Sequence, residues 1–110
     1  MARFSLHISL AGRKAVVVLA GELDLAGAAT LERELSELDA SAVVVDLRGL
    51  GFMDSSGLRT LAVAALRAQA AGRRFAMVPG AAQVMRVFDV TRMRERLEFV
   101  ADPGEVTASP

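Results

Sequence analysis

The chain has 110 residues, the length of one domain, and we expect a single compact unit over residues 1–110. Thirteen acidic residues balance thirteen basic ones, which removes the excess of positive charge that binding to nucleic acid or to anionic membranes requires. The absence of cysteine excludes disulfides, zinc thiolate sites and thiol nucleophiles, and no pattern indicates a cofactor or metal. The expected partner is another protein.

The first two predicted elements form an antiparallel hairpin. Apolar residues at positions 4, 6, 8 and 10 alternate with Ser5, His7 and Ser9, which is typical of a half-exposed edge strand. After a turn, the apolar run from Ala15 to Ala20 predicts a second strand that is buried on both faces and ended by Gly21. This run is short for a signal peptide, and none approaches the roughly 18 residues of a membrane span, so we expect a soluble, cytoplasmic protein.

Helices and strands then alternate along the chain. Apolar residues at helical spacing predict a first helix from Leu25 to Leu38, capped by Asp24, and a β-branched run predicts a central strand over Val43–Leu47, ended by Gly49-Leu50-Gly51. The same patterns predict a helix from near Leu58 to Gly72, a strand over 75–78, a helix containing Val84, Val87 and Phe88, and a short strand over 97–100. We expect a frayed tail from Pro103 to Pro110.

This order of elements predicts the fold class. Strands joined by helical crossovers run parallel, so the chain is expected to be an α/β protein with a mixed, mostly parallel sheet, an N-terminal antiparallel hairpin and helices packed against the sheet. Residues 4–100 would form the ordered core.

Few residues are suited to catalysis. His7 is the only histidine, and no nucleophile-elbow pattern is present. Gly49-Leu50-Gly51 lacks the third glycine of a dinucleotide-binding loop, because Asp54 stands in its place. A receiver domain would need a late lysine, and the only lysine is Lys14. We therefore predict that the protein is not an enzyme.

The segment Asp54-Ser55-Ser56-Gly57 lies between a strand and a helix and allows two interpretations. Asp or Ser at this place is typical of an N-cap, which is worth about 1 kcal/mol. A cap does not explain three consecutive capping residues, and the Glu or Gln of a capping box is absent. The alternative is a phosphorylation site, since a phosphoryl group there would interact favourably with the helix dipole and the free N–H groups. Both can hold.

A family resemblance favours the second interpretation. The segment Phe52-Met53-Asp54-Ser55-Ser56-Gly57-Leu58, preceded about thirty residues earlier by Gly21-Glu22-Leu23-Asp24-Leu25, with the strand 43–47 between them, resembles the STAS domain family of anti-sigma-factor antagonists. The likeness extends from about Phe4 to Val100. One departure is Thr91-Arg92-Met93, where relatives often have Thr-Gly-Leu. Arginine adopts a left-handed conformation less easily than glycine, so we expect a differently shaped helix end.

The resemblance implies a role for each site residue. Ser55 matches the serine that is phosphorylated by a partner that is both anti-sigma factor and serine kinase, with ATP bound by that partner, and a serine phosphatase would reverse the step. The unphosphorylated form binds this partner and frees the sigma factor. The contact surface would comprise Asp24, Asp54, Ser56, Gly57 and Leu58. An N-cap is an equal alternative for Asp24, and burial in the protein's own core is the favoured one for Leu58.

Two other functions stay open from the sequence. A STAS structural or regulatory subunit of a transport or stress-signalling complex would keep the fold without a phosphorylation cycle. A small ligand-binding or catalytic α/β domain would instead require a pocket lined by convergent polar groups.

Overall fold

A computed structural model describes residues 3–108 of the chain. The strands are β1 (Ser5–Ala11), β2 (Lys14–Leu23), β3 (Ala42–Met53), β4 (Arg74–Val78) and β5 (Glu98–Phe99), and the α-helices are α1 (Leu25–Ser36), α2 (Ser55–Ala70) and α3 (Ala82–Val90). Two short 3₁₀ helices follow α3, at Met93–Glu95 and Pro103–Glu105. Within these residues, no helix is long and apolar enough to cross a membrane.

The five strands form one sheet in the order β1-β2-β3-β4-β5. Strands β1 and β2 pair antiparallel, and every other pair is parallel, which confirms the predicted α/β fold and its N-terminal hairpin. The three helices pack on one face of the sheet. There, Val17 and Leu19 of β2 and Val45 and Leu47 of β3 meet residues of the helices in the main core, among them Phe88 of α3.

Strands β2 and β3 differ from the prediction at their carboxyl ends. Strand β2 continues past Gly21 to Leu23, and β3 continues through Gly49 and Gly51 to Met53. The two strands keep pairing there because the register shifts after Val18 and again after Gly21, so that bulges accommodate the glycines. The prediction that β2 is buried on both faces was also wrong, since Val18 is 37% exposed on the face opposite the helices.

The C-terminal segment corrects a second expectation. Residues Pro103–Glu105 form a 3₁₀ helix with a capping box between Asp102 and Glu105, where a frayed tail was predicted. Val106 is 1% exposed and packs with Val44 and Val78 on the face of the sheet opposite the helices. The segment is ordered because it covers apolar residues that β3 and β4 would otherwise expose.

The end of α3 also differs from expectation. Arg92 adopts the left-handed conformation, with φ 60° and ψ 19°, although a side chain disfavours it. The chain thus forms with arginine the turn for which glycine is suited, instead of a differently shaped helix end.

Candidate functional site

The two sequence motifs lie side by side at the carboxyl edge of the sheet. Glu22 pairs with Phe52 and Leu23 with Met53 in the parallel β2–β3 ladder. Directly after these pairs, the Asp54 N–H donates to the Leu23 carbonyl at 3.2 Å. Neighbouring strands lie about 5 Å apart, so the starts of α1 and α2 are adjacent. The segments around Asp24 and Asp54 therefore form one surface.

Both aspartates cap the helix that follows them. Asp54 Oδ1 accepts hydrogen bonds from the N–H groups of Ser56 at 2.9 Å and Gly57 at 3.3 Å. Asp24 Oδ1 accepts one from Gly27 at 3.1 Å. Because Asp54 is the cap, α2 begins at Ser55, three residues before the predicted start near Leu58. The cap predicted for Asp24 is confirmed.

The two serines of the motif occupy the first turn of α2 and are not needed as caps. Ser55 is exposed and Ser56 is half-buried. Neither hydroxyl has a hydrogen-bond partner within residues 3–108. The positive end of the helix dipole attracts negative charge, and α2 has no acidic residue in its first turn. The exposed Ser55 hydroxyl is thus free at a position where a negative group is stabilised.

Gly57 and Leu58 lie beneath this surface, and both are buried against the protein's own residues. A Cβ on Gly57 would come within 2.7 Å of Met53 Cγ and 2.8 Å of Leu23 Cδ2, so glycine lets α2 lie directly on the paired strand ends. Leu58 is 7% exposed and belongs to the main core. The predicted contact role of Leu58 is corrected to core packing, the alternative favoured from the sequence.

Two exposed apolar side chains belong to the two motif segments and were not assigned to the contact surface from the sequence. Leu25, the first residue of α1, is 73% exposed, and Phe52 is 46% exposed. The alternation of a strand contained the signal for Phe52, because Met53 is buried and its neighbour must point to the other face. Exposed apolar residues next to polar ones are typical of protein-contact surfaces.

A groove begins at this surface and runs between α1 and α2. It has a volume of about 1150 Å³, and Leu25, Ser55 and Ser56 line its end. Buried and half-buried apolar side chains, among them Val43 and Phe75, line it further along. Polar side chains, among them Glu32 and Arg67, also line the groove. Residues 3–108 contain no cluster of acidic or histidine side chains suited to a metal.

The main buried charge lies away from the site. Asp46, on the face of the sheet opposite the helices, is 6% exposed and forms an ion pair with Arg48 at 2.8 Å. Hydrogen bonds from the Arg48 side chain hold the pKa of the Asp46 carboxyl below its usual range, although burial raises it. Within residues 3–108, no hydrogen bond or ion pair joins Asp46 or Arg48 to the starts of α1 and α2.

The chain matches one family model and several solved structures. The model described as "Mlab, STAS domain" matches residues 6–100. An anti-sigma factor antagonist from Mycobacterium paratuberculosis is 21% identical, with TM-score 0.84 over 94% of this chain and 90% of that chain. The anti-sigma factor antagonist SpoIIAA in its unphosphorylated form is 18% identical, with TM-score 0.77 over 92% of each chain.

A third similar structure is that of the Bacillus cell fate determinant SpoIIAA in its phosphorylated form, with 18% identity and TM-score 0.73 over 92% of this chain and 96% of that chain. At these identities the likeness establishes the fold. No curated protein sequence matches this chain.

Proposed function

The chain belongs to the STAS domain family, and we propose that it is an anti-sigma-factor antagonist controlled by phosphorylation of Ser55. In its unphosphorylated form, it binds a partner that is both anti-sigma factor and serine kinase, and the sigma factor is released. Phosphorylation abolishes this binding, and a serine phosphatase restores it. The protein acts in the cytoplasm, as a substrate of the kinase and not as an enzyme.

The observation that carries the proposal is that different residues supply the helix cap and the free hydroxyl at the start of α2. Asp54 supplies the cap, which leaves the exposed Ser55 hydroxyl without a structural role. Ser56 is half-buried and less accessible to a kinase. Solved structures of SpoIIAA, one of the similar proteins, in unphosphorylated and phosphorylated forms support the proposal.

The phosphorylation step needs no group from this chain except the serine. Ser55 Oγ attacks the γ-phosphorus of ATP bound by the kinase, the bond to the β-phosphate oxygen breaks, ADP leaves, and a base of the kinase takes the serine proton. The product carries about −1.5 to −2 charges beside the Asp54 carboxylate. The helix dipole favours this charge at the start of α2, and the N–H groups of Ser56 and Gly57 keep their bonds to Asp54, so the fold is retained.

The change in charge is large enough for a switch. A hundredfold loss of affinity corresponds to about 2.7 kcal/mol. A phosphate among Asp54, Asp24 and Leu25 supplies this by repelling acidic partner groups and by its cost of desolvation in the interface. Antagonist and sigma factor then compete for the kinase according to the state of Ser55.

The test is incubation with a candidate serine-kinase anti-sigma factor and ATP, followed by mapping of the phosphate by mass spectrometry. We expect one phosphate on Ser55, its loss in Ser55→Ala, and its retention in the matched control Ser56→Ala. Ser55→Ala should still bind the kinase, whereas Ser55→Asp should bind at least tenfold more weakly. A phosphate on Ser56 would contradict the assignment.

A second candidate is a STAS structural or regulatory subunit that binds its partner without phosphorylation. The matching family model is described as "Mlab, STAS domain", which fits a STAS subunit of either kind. The same experiment distinguishes the two, because this subunit would gain no phosphate and would bind its partner equally well as Ser55→Asp.

A further inference from the structure

The groove between α1 and α2 is long, open and apolar at its base. Along α2 it reaches from Ser55 to Ala71, which at 1.5 Å per residue is about 24 Å. Small residues of both helices line it, including Ala28, Ala64 and Ala68. A groove of this length is suited to an elongated segment, and its small side chains allow a helix axis to approach closely.

The rim of the groove is positively charged in a protein with no net charge. Three arginines line it, Arg59, Arg67 and Arg73, against the single acidic residue Glu32. Arg73 donates to the Leu38 carbonyl, whereas the guanidinium groups of Arg59 and Arg67 have no partner in the part of the chain that the structure describes. These two side chains lie eight residues apart on α2, or about 12 Å.

We propose that the α1–α2 groove docks an acidic amphipathic helix of a protein partner. The apolar side of that helix would lie on the small residues of the groove. Its carboxylates, spaced about two turns apart, would pair with Arg59 and Arg67. Arginine forms paired hydrogen bonds with carboxylates, and such pairs determine the orientation of a bound helix. A nucleic acid is less suited to this surface, because Phe75 is the only aromatic side chain that lines it.

The groove is continuous with the candidate site, since Ser55 and Ser56 line one end of it. Docking of an acidic helix does not require phosphorylation, so this proposal can hold if Ser55 is never modified. If the proposed function is correct, the groove adds a second contact to the same partner. Arg67 is three turns from Ser55, about 18 Å, so a substitution of Arg67 tests binding to the groove independently of phosphorylation at Ser55.

The test uses two 18-residue peptides with leucine and alanine at helical spacing on one side. One carries glutamate at all other positions, and its twin carries lysine. Titration into the ¹⁵N-labelled protein should shift amide resonances of α1 and α2 with the glutamate peptide, and not with the lysine peptide. Arg67→Glu should weaken glutamate-peptide binding at least tenfold and should make the lysine peptide bind.

The matched control is Arg86→Glu on α3, whose side chain is exposed and unpaired among the described residues. It should change binding of the glutamate peptide less than twofold. Thermal unfolding of both variants checks that they fold. No shifts at millimolar peptide, shifts on another surface, or equal loss in Arg86→Glu would overturn the proposal. Binding of oligothymidine that is tighter than binding of the glutamate peptide would also overturn the proposal, because the groove would then bind nucleic acid. Dimerisation of the protein that Arg67→Glu abolishes would overturn it too, because a second copy would then occupy the groove.

Discussion

Arg92 occupies a backbone conformation that its side chain disfavours. Its φ of 60° lies in the left-handed region, and its side chain has no partner within residues 3–108 that would offset the strain. For residues with a side chain, this conformation costs about 1–2 kcal/mol. Arg92 keeps this strained conformation because the chain must turn between α3 and the following 3₁₀ helix.

Replacement of Arg92 by glycine should therefore stabilise the protein. Glycine removes the strain but gains more freedom in the unfolded chain, so we expect the free energy of unfolding to rise by about 0.5–1 kcal/mol. Urea unfolding measures it. The reverse control is Gly72→Ala, since Gly72 has φ 72° and open space around it, and it should lose about 1 kcal/mol through strain alone. An unchanged stability of Arg92→Gly would mean that the strain is relieved elsewhere.

The ion pair of Asp46 and Arg48 predicts a pH-dependent contribution to stability. Arg48 hydrogen bonds keep the folded pKa of Asp46 below its usual value. The contribution is therefore complete above the unfolded pKa of about 3.9 and is lost as the pH falls through the folded pKa. Asp46→Asn replaces an acceptor of Arg48 hydrogen bonds with a donor, and should lower the free energy of unfolding at pH 7 by about 1–2 kcal/mol.

The difference between Asp46→Asn and the unaltered protein should shrink below about pH 4, because Asp46 is then protonated in the unfolded chain, and it is lost once the pH falls through the folded pKa. Urea unfolding at pH 7 and at pH 3 measures both values. The matched control is Glu98→Gln, in the exposed pair with Arg74, which should cost well under 1 kcal/mol. A difference for Asp46→Asn that is equal at the two pH values would contradict the assigned pKa shift.

At the scale of elements, Asp54 caps α2, and we propose that it also contacts the partner. Asp54→Ala removes the cap and should cost about 1 kcal/mol, whereas Asp54→Asn keeps the cap and should change stability by less than about 0.5 kcal/mol. If the carboxylate contacts the anti-sigma partner, Asp54→Asn should still bind it at least fivefold more weakly, as calorimetry would measure.

The control for this loss is Asp102→Asn. Asp102 also caps a helix, accepting from the Gly104 N–H at 2.7 Å, but it lies in the C-terminal segment and not at the start of α1 or α2. It should leave partner binding unchanged. Equal binding by Asp54→Asn and the unaltered protein would restrict Asp54 to its capping role.

The elements that could be predicted from the sequence are those whose periodicity is uninterrupted. Apolar spacing of 3 and 4 located α1 and α3, and the β-branched run located β3, because these patterns reflect burial directly. The ends of β2 and β3 were predicted too early, since an isolated glycine indicates equally a stop and a bulge. Only the pairing with the neighbouring strand decides whether a glycine ends a strand or forms a bulge, and the pattern of residues along the sequence does not contain this pairing.

The candidate site was predictable in part for a similar reason. The residues from Asp54 to Gly57 were identified as a helix start, but the register that pairs Leu23 with Met53 is a tertiary property. The exposure of Leu25 and the groove between α1 and α2 also depend on how the two helices pack. Which side chains face a partner therefore required the fold.

At the scale of the whole molecule, the sheet is covered on both faces by unequal layers. The helices cover one face, while the C-terminal segment covers β3 and β4 on the other and is held there by a hydrogen bond from Lys14 Nζ to the Pro103 carbonyl at 2.6 Å. Val106 is the buried residue of this segment. Its burial implies that the segment contributes to the stability of the domain.

Val106→Ala tests this contribution. Loss of the equivalent of two buried methylenes, at about 0.8 kcal/mol each, together with the cavity left behind, should lower the free energy of unfolding by about 1.5–2.5 kcal/mol. Val90→Ala, at a position that is 76% exposed, is the matched control and should change it by less than about 0.5 kcal/mol. Because Val106 and the helix starts lie on different parts of the molecule, Val106→Ala should bind the proposed anti-sigma partner normally below its unfolding temperature. Equal stability of the two variants would show that the segment is a separate layer that detaches before the domain unfolds, since its apolar contacts would then be absent from the cooperative transition.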